Sequence, residues 1–172
     1  MKVREFESMT ASPSSLKIRL KVNGDSYESE IDPRMNLADY LREELALTAT
    51  HVGCEHGVCG ICNVLVDGRT VRSCLMLAAQ ADGKEIRTVE GLAEGGKLHP
   101  IQEAFIEEHG LQCGFCTGGF MMAICEMLER NPNPSEEEIK DVVGGQICRC
   151  TGYNSILRAV NSAVSKMSAS RP

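Results

Sequence analysis

Apolar and polar residues alternate from the first ordered-looking stretch of the chain. Leu16, Ile18, Leu20 and Val22 are separated by Lys17, Arg19 and Lys21, the period of two of a strand with one buried face. Asn23-Gly24 follows, a pair that accepts the backbone angles of a tight hairpin turn. Residues 27–31 are therefore predicted to return beside the first strand. Leu37, Leu41 and Leu45 then recur every four residues, with Arg42, Glu43 and Glu44 between them. That pattern predicts a short amphipathic helix. A Gly- and Cys-rich loop runs over residues 53–62. Strands are expected at residues 63–66, 70–75 and 86–89, with Asp67-Gly68 turning between the first two.

The pattern changes after residue 89. Residues 90–97 contain Gly91, Gly95 and Gly96 without periodicity and read as a linker. Helical spacing follows, at residues 99–109 (Ile101, Ala104, Phe105) and at residues 117–130 (Phe120, Ile124, Met127, Leu128). Asn131-Pro132-Asn133-Pro134 ends the second of these helices, and Ser135 with Glu138 forms a capping-box pattern for a third. Gly144-Gly145 closes it. The last helix carries Ile156, Val160, Ala163, Val164 and Met167 on one face. A β-rich half with one helix is thus followed by an all-α half of four helices.

Composition narrows the function. The formal charge of −6 argues against a nucleic-acid binder, which would carry a basic face. No stretch approaches the ~20 apolar residues that span a membrane. The first fifteen residues are charged and polar, without an apolar export core or a twin-Arg pair, and are expected to form a flexible tail. Nine cysteines are the anomaly. An odd number without an export signal points to metal or redox work in a reducing cytoplasm rather than to disulfides.

Eight of the nine fall into two sets. Cys54, Cys59 and Cys62 have Cys-x4-Cys-x2-Cys spacing, and Cys74 follows on what is expected to be a strand. This is the plant-type ferredoxin arrangement, four thiolates around two irons. Gly53, Gly57 and Gly60 would let such a loop fold tightly and turn backbone N–H groups toward the sulfurs. Zinc, which favours Cys-x2–4-Cys pairs, suits this spacing less well. His56 could suggest a Rieske site, but all four cysteines are present, and it reads as a solvated loop residue. The second set is Cys113-x2-Cys116 at a helix start and Cys148-x-Cys150 between helices. Its spacing alone leaves zinc open. Cys125, between Ile124 and Leu128, reads as a buried thiol, and Met121, Met122 and Met127 as packing.

The wider sequence around these cysteines resembles a known family. Residues 112–120 (Gln-Cys-Gly-Phe-Cys-Thr-Gly-Gly-Phe) and 147–153 (Ile-Cys-Arg-Cys-Thr-Gly-Tyr) resemble the small iron–sulfur subunit of the xanthine oxidase family of molybdenum hydroxylases. So do residues 48–62 and the Val-Leu-Val-Asp-Gly run at 64–68. The resemblance covers about residues 16–166. It implies an α+β chain with a plant-type ferredoxin-like (β-grasp) domain at residues 16–89, a linker at 90–98 and a four-helix domain at 99–167. Tails at 1–15 and 168–172 complete the division.

Each domain would hold one [2Fe-2S] cluster, the first on Cys54, Cys59, Cys62 and Cys74, the second on Cys113, Cys116, Cys148 and Cys150. The resemblance further implies a large subunit carrying molybdenum on molybdopterin, as its dinucleotide, and, as is common in the family, a medium subunit carrying FAD. The assembly would be (αβγ)2 and cytoplasmic. Electrons would pass from molybdenum through the helical-domain cluster to the ferredoxin-like cluster and on to FAD or another acceptor. Gln112 and Cys150 would sit at the molybdopterin edge. Gly118 and Gln146 depart from the residues common in relatives, Pro and Asn respectively, without removing a ligand. Arg149 would either offset cluster charge, bind a partner or lie on the surface. No catalytic acid–base pair, nucleophile set or phosphate loop is visible. Two other readings stay open on the residues: a freestanding two-cluster ferredoxin, and a structural protein with two zinc sites.

Overall fold

The computed structural model describes residues 15–169. Most of the expected N-terminal tail, and residues 170–172 of the C-terminal one, lie outside that range. Strands β1 (Leu16–Val22) and β2 (Asp25–Ile31) form the expected hairpin. Asn23 and Gly24 at its tip have φ of 53° and 92°, the two positive angles that such a turn demands. Strands β3 (Asn63–Val66) and β4 (Arg69–Arg72) form a second hairpin, and β5 (Glu85–Arg87) completes a sheet of order β2-β1-β5-β3-β4. Only the β1–β5 pairing is parallel among these neighbours.

Ile18, Leu20 and Val22 point to one face of the sheet, where Leu37, Tyr40 and Leu41 pack on them. The helix predicted there is short. Residues Leu37–Asp39 form α1, capped by Asn36, whose side chain accepts from the Asp39 N–H. The chain then widens into a π-helical turn, Tyr40–Glu44. Tyr40, at the start of that turn, is fully buried, and its hydroxyl and the Ser29 hydroxyl lie 2.9 Å apart.

The second half holds α2 (Pro100–Glu107), α3 (Thr117–Arg130), α4 (Glu136–Gly144) and α5 (Asn154–Ala169). Helix α2 stops two residues before the predicted end because His109 takes φ 52°. Helix α4 starts on the predicted box: Ser135 Oγ accepts from Glu138 N–H, and Glu138 Oε2 accepts from Ser135 N–H. The expected linker is partly built in. Residues Val89–Leu92 form a 3-10 turn, and Leu92 enters the helical core.

The two halves meet on β3, which is buried along its whole length. Successive side chains of a strand face opposite ways. Val64 and Val66 therefore join the first core while Leu65 joins Phe120, Ile124 and the rest of the helical core. Helix α3 reaches this surface through Gly119. A Cβ there would meet the Ile61 carbonyl oxygen at 2.7 Å and the Gly60 carbonyl oxygen closer still. Among the described residues, no helix is long and apolar enough to cross a membrane.

Candidate metal centres

The first site is the loop between α1 and β3, closed by the segment after β4. Cys74 is not on a strand as predicted. Ser73 donates from both its backbone N–H and its hydroxyl to the Cys62 carbonyl, at 3.2 and 2.7 Å. This pinches off the ladder, and residues Ser73–Leu75 form a 3-10 turn. The turn carries Cys74 round to the Cys62 thiol, with which it exchanges a hydrogen bond.

Cys54 and Cys59 form a second pair in this loop. The Cys59 N–H donates to Cys54 Sγ at 3.4 Å, and the His56 and Val58 N–H groups donate to the same sulfur. These donors, that of Cys59 foremost, pull the Cys54 thiol down to about 6. Burial pushes Cys74 the other way, to about 11, and the Cys62 contact adds to the rise. Gly57 donates its N–H to Cys74, as expected of a loop glycine. His56 is exposed, and its Nδ1 meets the Cys54 carbonyl.

The second site joins the start of α3 to the loop between α4 and α5. Cys113 and Cys150 are both exposed, with their sulfurs 3.4 Å apart. Cys116 and Cys148 are both buried and share a hydrogen bond. Burial, reinforced by Cys148, pushes the Cys116 thiol up to about 12. Burial also lifts Cys148, but the Thr151 hydroxyl at 3.2 Å and the Thr151 N–H at 3.4 Å outweigh it and leave that thiol lowered. Tyr153 fixes the loop: its hydroxyl accepts from Cys148 N–H and donates to the Gln146 carbonyl.

In both sites the thiols approach in twos. Among the described residues, no three His, Cys, Asp or Glu side chains converge closely enough to hold a single metal ion. The ninth cysteine, Cys125, is buried in α3 between Arg87 and Glu129, and burial raises its thiol to about 12. Gln112 and Arg149 are exposed beside Cys113 and Cys150. Met121, Met122 and Met127 are buried in the helical core.

Pattern reading missed what joins the two sites. The Ile147 N–H, next to Cys148, donates to the Cys59 carbonyl at 2.8 Å. His51 stacks on Phe115 with ring centroids 4.8 Å apart, and its Nδ1 lies 2.9 Å from the Phe115 carbonyl. Arg72 and Asn63 bond to segments of both halves. Single polar residues of this kind carry no periodic signal. The one available clue was Asn63, a polar residue opening an apolar run.

Residues 20–93 match a family profile described as a 2Fe-2S iron-sulfur cluster binding domain. Residues 88–161 match one described as a [2Fe-2S] binding domain. The chain is 54% identical over 155 residues to the nicotine 6-hydroxylase small subunit of Paenarthrobacter nicotinovorans, covering 90% of this chain and 93% of that one. It is 53% identical to the caffeine dehydrogenase subunit gamma of Pseudomonas sp. strain CBB1, covering 87% and 91%. Among solved structures it is similar to quinoline 2-oxidoreductase from Pseudomonas putida 86, with a TM-score of 0.86 and 44% identity over 92% of this chain and 99% of the matched one. With two cluster-binding domains in this order and identity of this degree along nearly its whole length, the chain belongs to the small iron–sulfur subunits of the xanthine oxidase family of molybdenum hydroxylases, and its role is electron transfer within an oxidoreductase.

Proposed function

We propose that Cys54, Cys59, Cys62 and Cys74 hold one [2Fe-2S] cluster and that Cys113, Cys116, Cys148 and Cys150 hold the second. The pairing of the thiols carries this reading. Two pairs per site are what two irons ask for, whereas one zinc ion asks for four ligands round a single point. The chain contributes the thiolates, the N–H donors on Cys54 and Cys74, and the walls that shield Cys59, Cys62, Cys116 and Cys148 from water. The clusters, when bound, supply one-electron exchange between a molybdopterin site and an FAD site on partner subunits.

The domain limits proposed are a ferredoxin-like unit at residues 16–89, a connection at 90–98 and a four-helix cluster-binding unit at 99–167. The helical site is proposed to face the large, molybdopterin-binding subunit. Its outward thiols, Cys113 and Cys150, support this, as does exposed Gln112, which offers an amide to a pterin edge. Leu111, Phe115 and Ile147 are large exposed apolar residues around it, suited to burial in an interface. The first site, flanked by exposed Val58, Leu75 and Leu77, is proposed to face the medium, FAD-binding subunit, in an (αβγ)2 assembly in the cytoplasm. Three of the proteins it resembles are named for nicotine, caffeine and quinoline, all nitrogen heterocycles, and such a substrate is proposed for the complex.

Native anaerobic purification followed by metal and sulfide analysis tests the reading. About four irons and four sulfides per chain are expected, as two four-cysteine binuclear sites require, with molybdenum co-purifying. Zinc in place of iron would overturn it. Iron without molybdenum in a monomer would replace the complex by a freestanding carrier.

A further inference from the structure

Arg72 ends β4, two residues before Cys74, and its side chain runs into the seam between the two sites. Its guanidinium is half-buried and divides its donors between both ligand segments. Nε donates to the Gly57 carbonyl at 3.3 Å, inside the first loop. Nη2 donates to the Gly145 carbonyl at 2.9 Å and to Gln146 Oε1 at 3.2 Å, just ahead of Cys148. Nη1 donates to Asn63 Oδ1. Asn63 in turn donates through Nδ2 to the Gly119 carbonyl at 3.1 Å, three residues after Cys116. Gln146 is only 4% exposed, and its own amide also donates to the Val142 carbonyl.

Each of these acceptors is a neutral amide oxygen. Among the described residues the cation is therefore fixed by hydrogen bonds without being cancelled by a carboxylate, unlike Arg87, which pairs with Glu129. A half-buried charge is screened less by salt than an exposed one. Reduction adds one negative charge to a cluster, and a nearby cation favours the more negative state. Net charge and hydrogen bonding are among the factors that set cluster potentials, and groups outside the ligand set tune them.

Resting on the two-cluster reading above, we infer that Arg72 is a positioning and potential-setting residue shared by both sites. It holds the two ligand segments in register and raises the reduction potentials of both clusters. Its effect is larger on the first, whose loop it enters directly.

The test is a redox titration of the purified, cluster-loaded complex followed by electron paramagnetic resonance, for wild type, Arg72→Gln and Arg72→Lys. Arg72→Gln is expected to shift both midpoint potentials downward, more at the first site. Arg72→Lys keeps the charge but loses the fork. It is expected to hold both potentials near wild type while weakening the magnetic interaction between the two reduced clusters. Unchanged potentials in a fully loaded Arg72→Gln complex would overturn the inference. So would an equal fall in both variants, which would assign the effect to geometry alone. If Arg72→Gln does not load, Arg72→Lys against wild type decides: retained potentials with weaker coupling support the inference, and lowered potentials overturn it. Failure of the two-cluster reading itself would show in the wild type, as zinc in place of iron or as fewer than two cluster signals.

Discussion

Cys125 has the same side chain as the eight proposed ligands and a different environment. It lies on the buried side of α3 with no second thiol beside it among the described residues, held between Arg87 Nη2 at 3.2 Å and Glu129 Oε1 at 3.3 Å. Cys125→Ala is expected to leave iron and sulfide per chain unchanged and to lower stability by about 1–2 kcal/mol, the range of a small buried truncation. Elemental analysis and denaturant unfolding check the two halves of that statement. A fall in iron would place Cys125 among the ligands after all.

The gathering of the eight other cysteines into two sets was legible because spacing is a chemical constraint readable in one dimension. Arg72 and Gln146 were not legible, and Asn63 gave only a hint. A lone polar residue in a strand or before a ligand says nothing of whether it faces water or the other half of the molecule. Their roles follow from a docking between segments far apart in sequence.

Elements show the same division. The Asn23-Gly24 and Asp67-Gly68 turns and the Ser135 box were readable because a local rule decides them. Ser135→Ala is expected to cost about 1 kcal/mol, the usual worth of an N-cap, in urea unfolding at neutral pH. The Glu138 carboxyl is held below its ordinary value by the Ser135 N–H first and by the Asn131 amide next. The sign follows from that lowering. The contribution is fully present above the ordinary glutamate range and fades as pH falls through the lowered value. The gap between wild type and Glu138→Gln should therefore close on acidification; a gap that persists would exclude the carboxylate as its source.

Other elements were misjudged for reasons outside their own segments. Residues 70–75 alternate well enough to continue as a strand, but the two bonds from Ser73 to Cys62 end the ladder early. The leucine spacing at 37–45 suggested an ordinary helix, but burial of Tyr40 draws the chain into a wider turn. Nothing in the sequence singled out Gly119, yet its place is dictated by the carbonyls of residues 60 and 61. Gly119→Ala should cost about 1–3 kcal/mol, as overpacking does, and should displace the first loop as well as α3. Iron content and thermal unfolding report both effects. A fully loaded variant of wild-type stability would mean that the halves yield to each other easily.

At the scale of the whole molecule, the α+β character and the order of the two halves were readable from the change in periodicity near residue 89. The seam between the halves was not, because β3 alternates in a way that serves two cores. Val64 and Val66 belong to one, Leu65 to the other. A continuous apolar run, here Val64 to Val66, says only that a strand is buried on both faces. It does not say that different halves lie on each.

That shared strand bears on how such chains can recombine. A crossover between two relatives near residue 90 would leave each half with its own cysteines, but it would part Leu65 from the helical core that it joins. It would also pair one chain's β3 and 60–61 backbone with another chain's α3. Partners with glycine at position 119, and any residue but proline at position 147 to donate its N–H to the Cys59 carbonyl, are expected to close on each other best. The two halves are thus expected to exchange between relatives as one unit, although each has the sequence signature of a separate one.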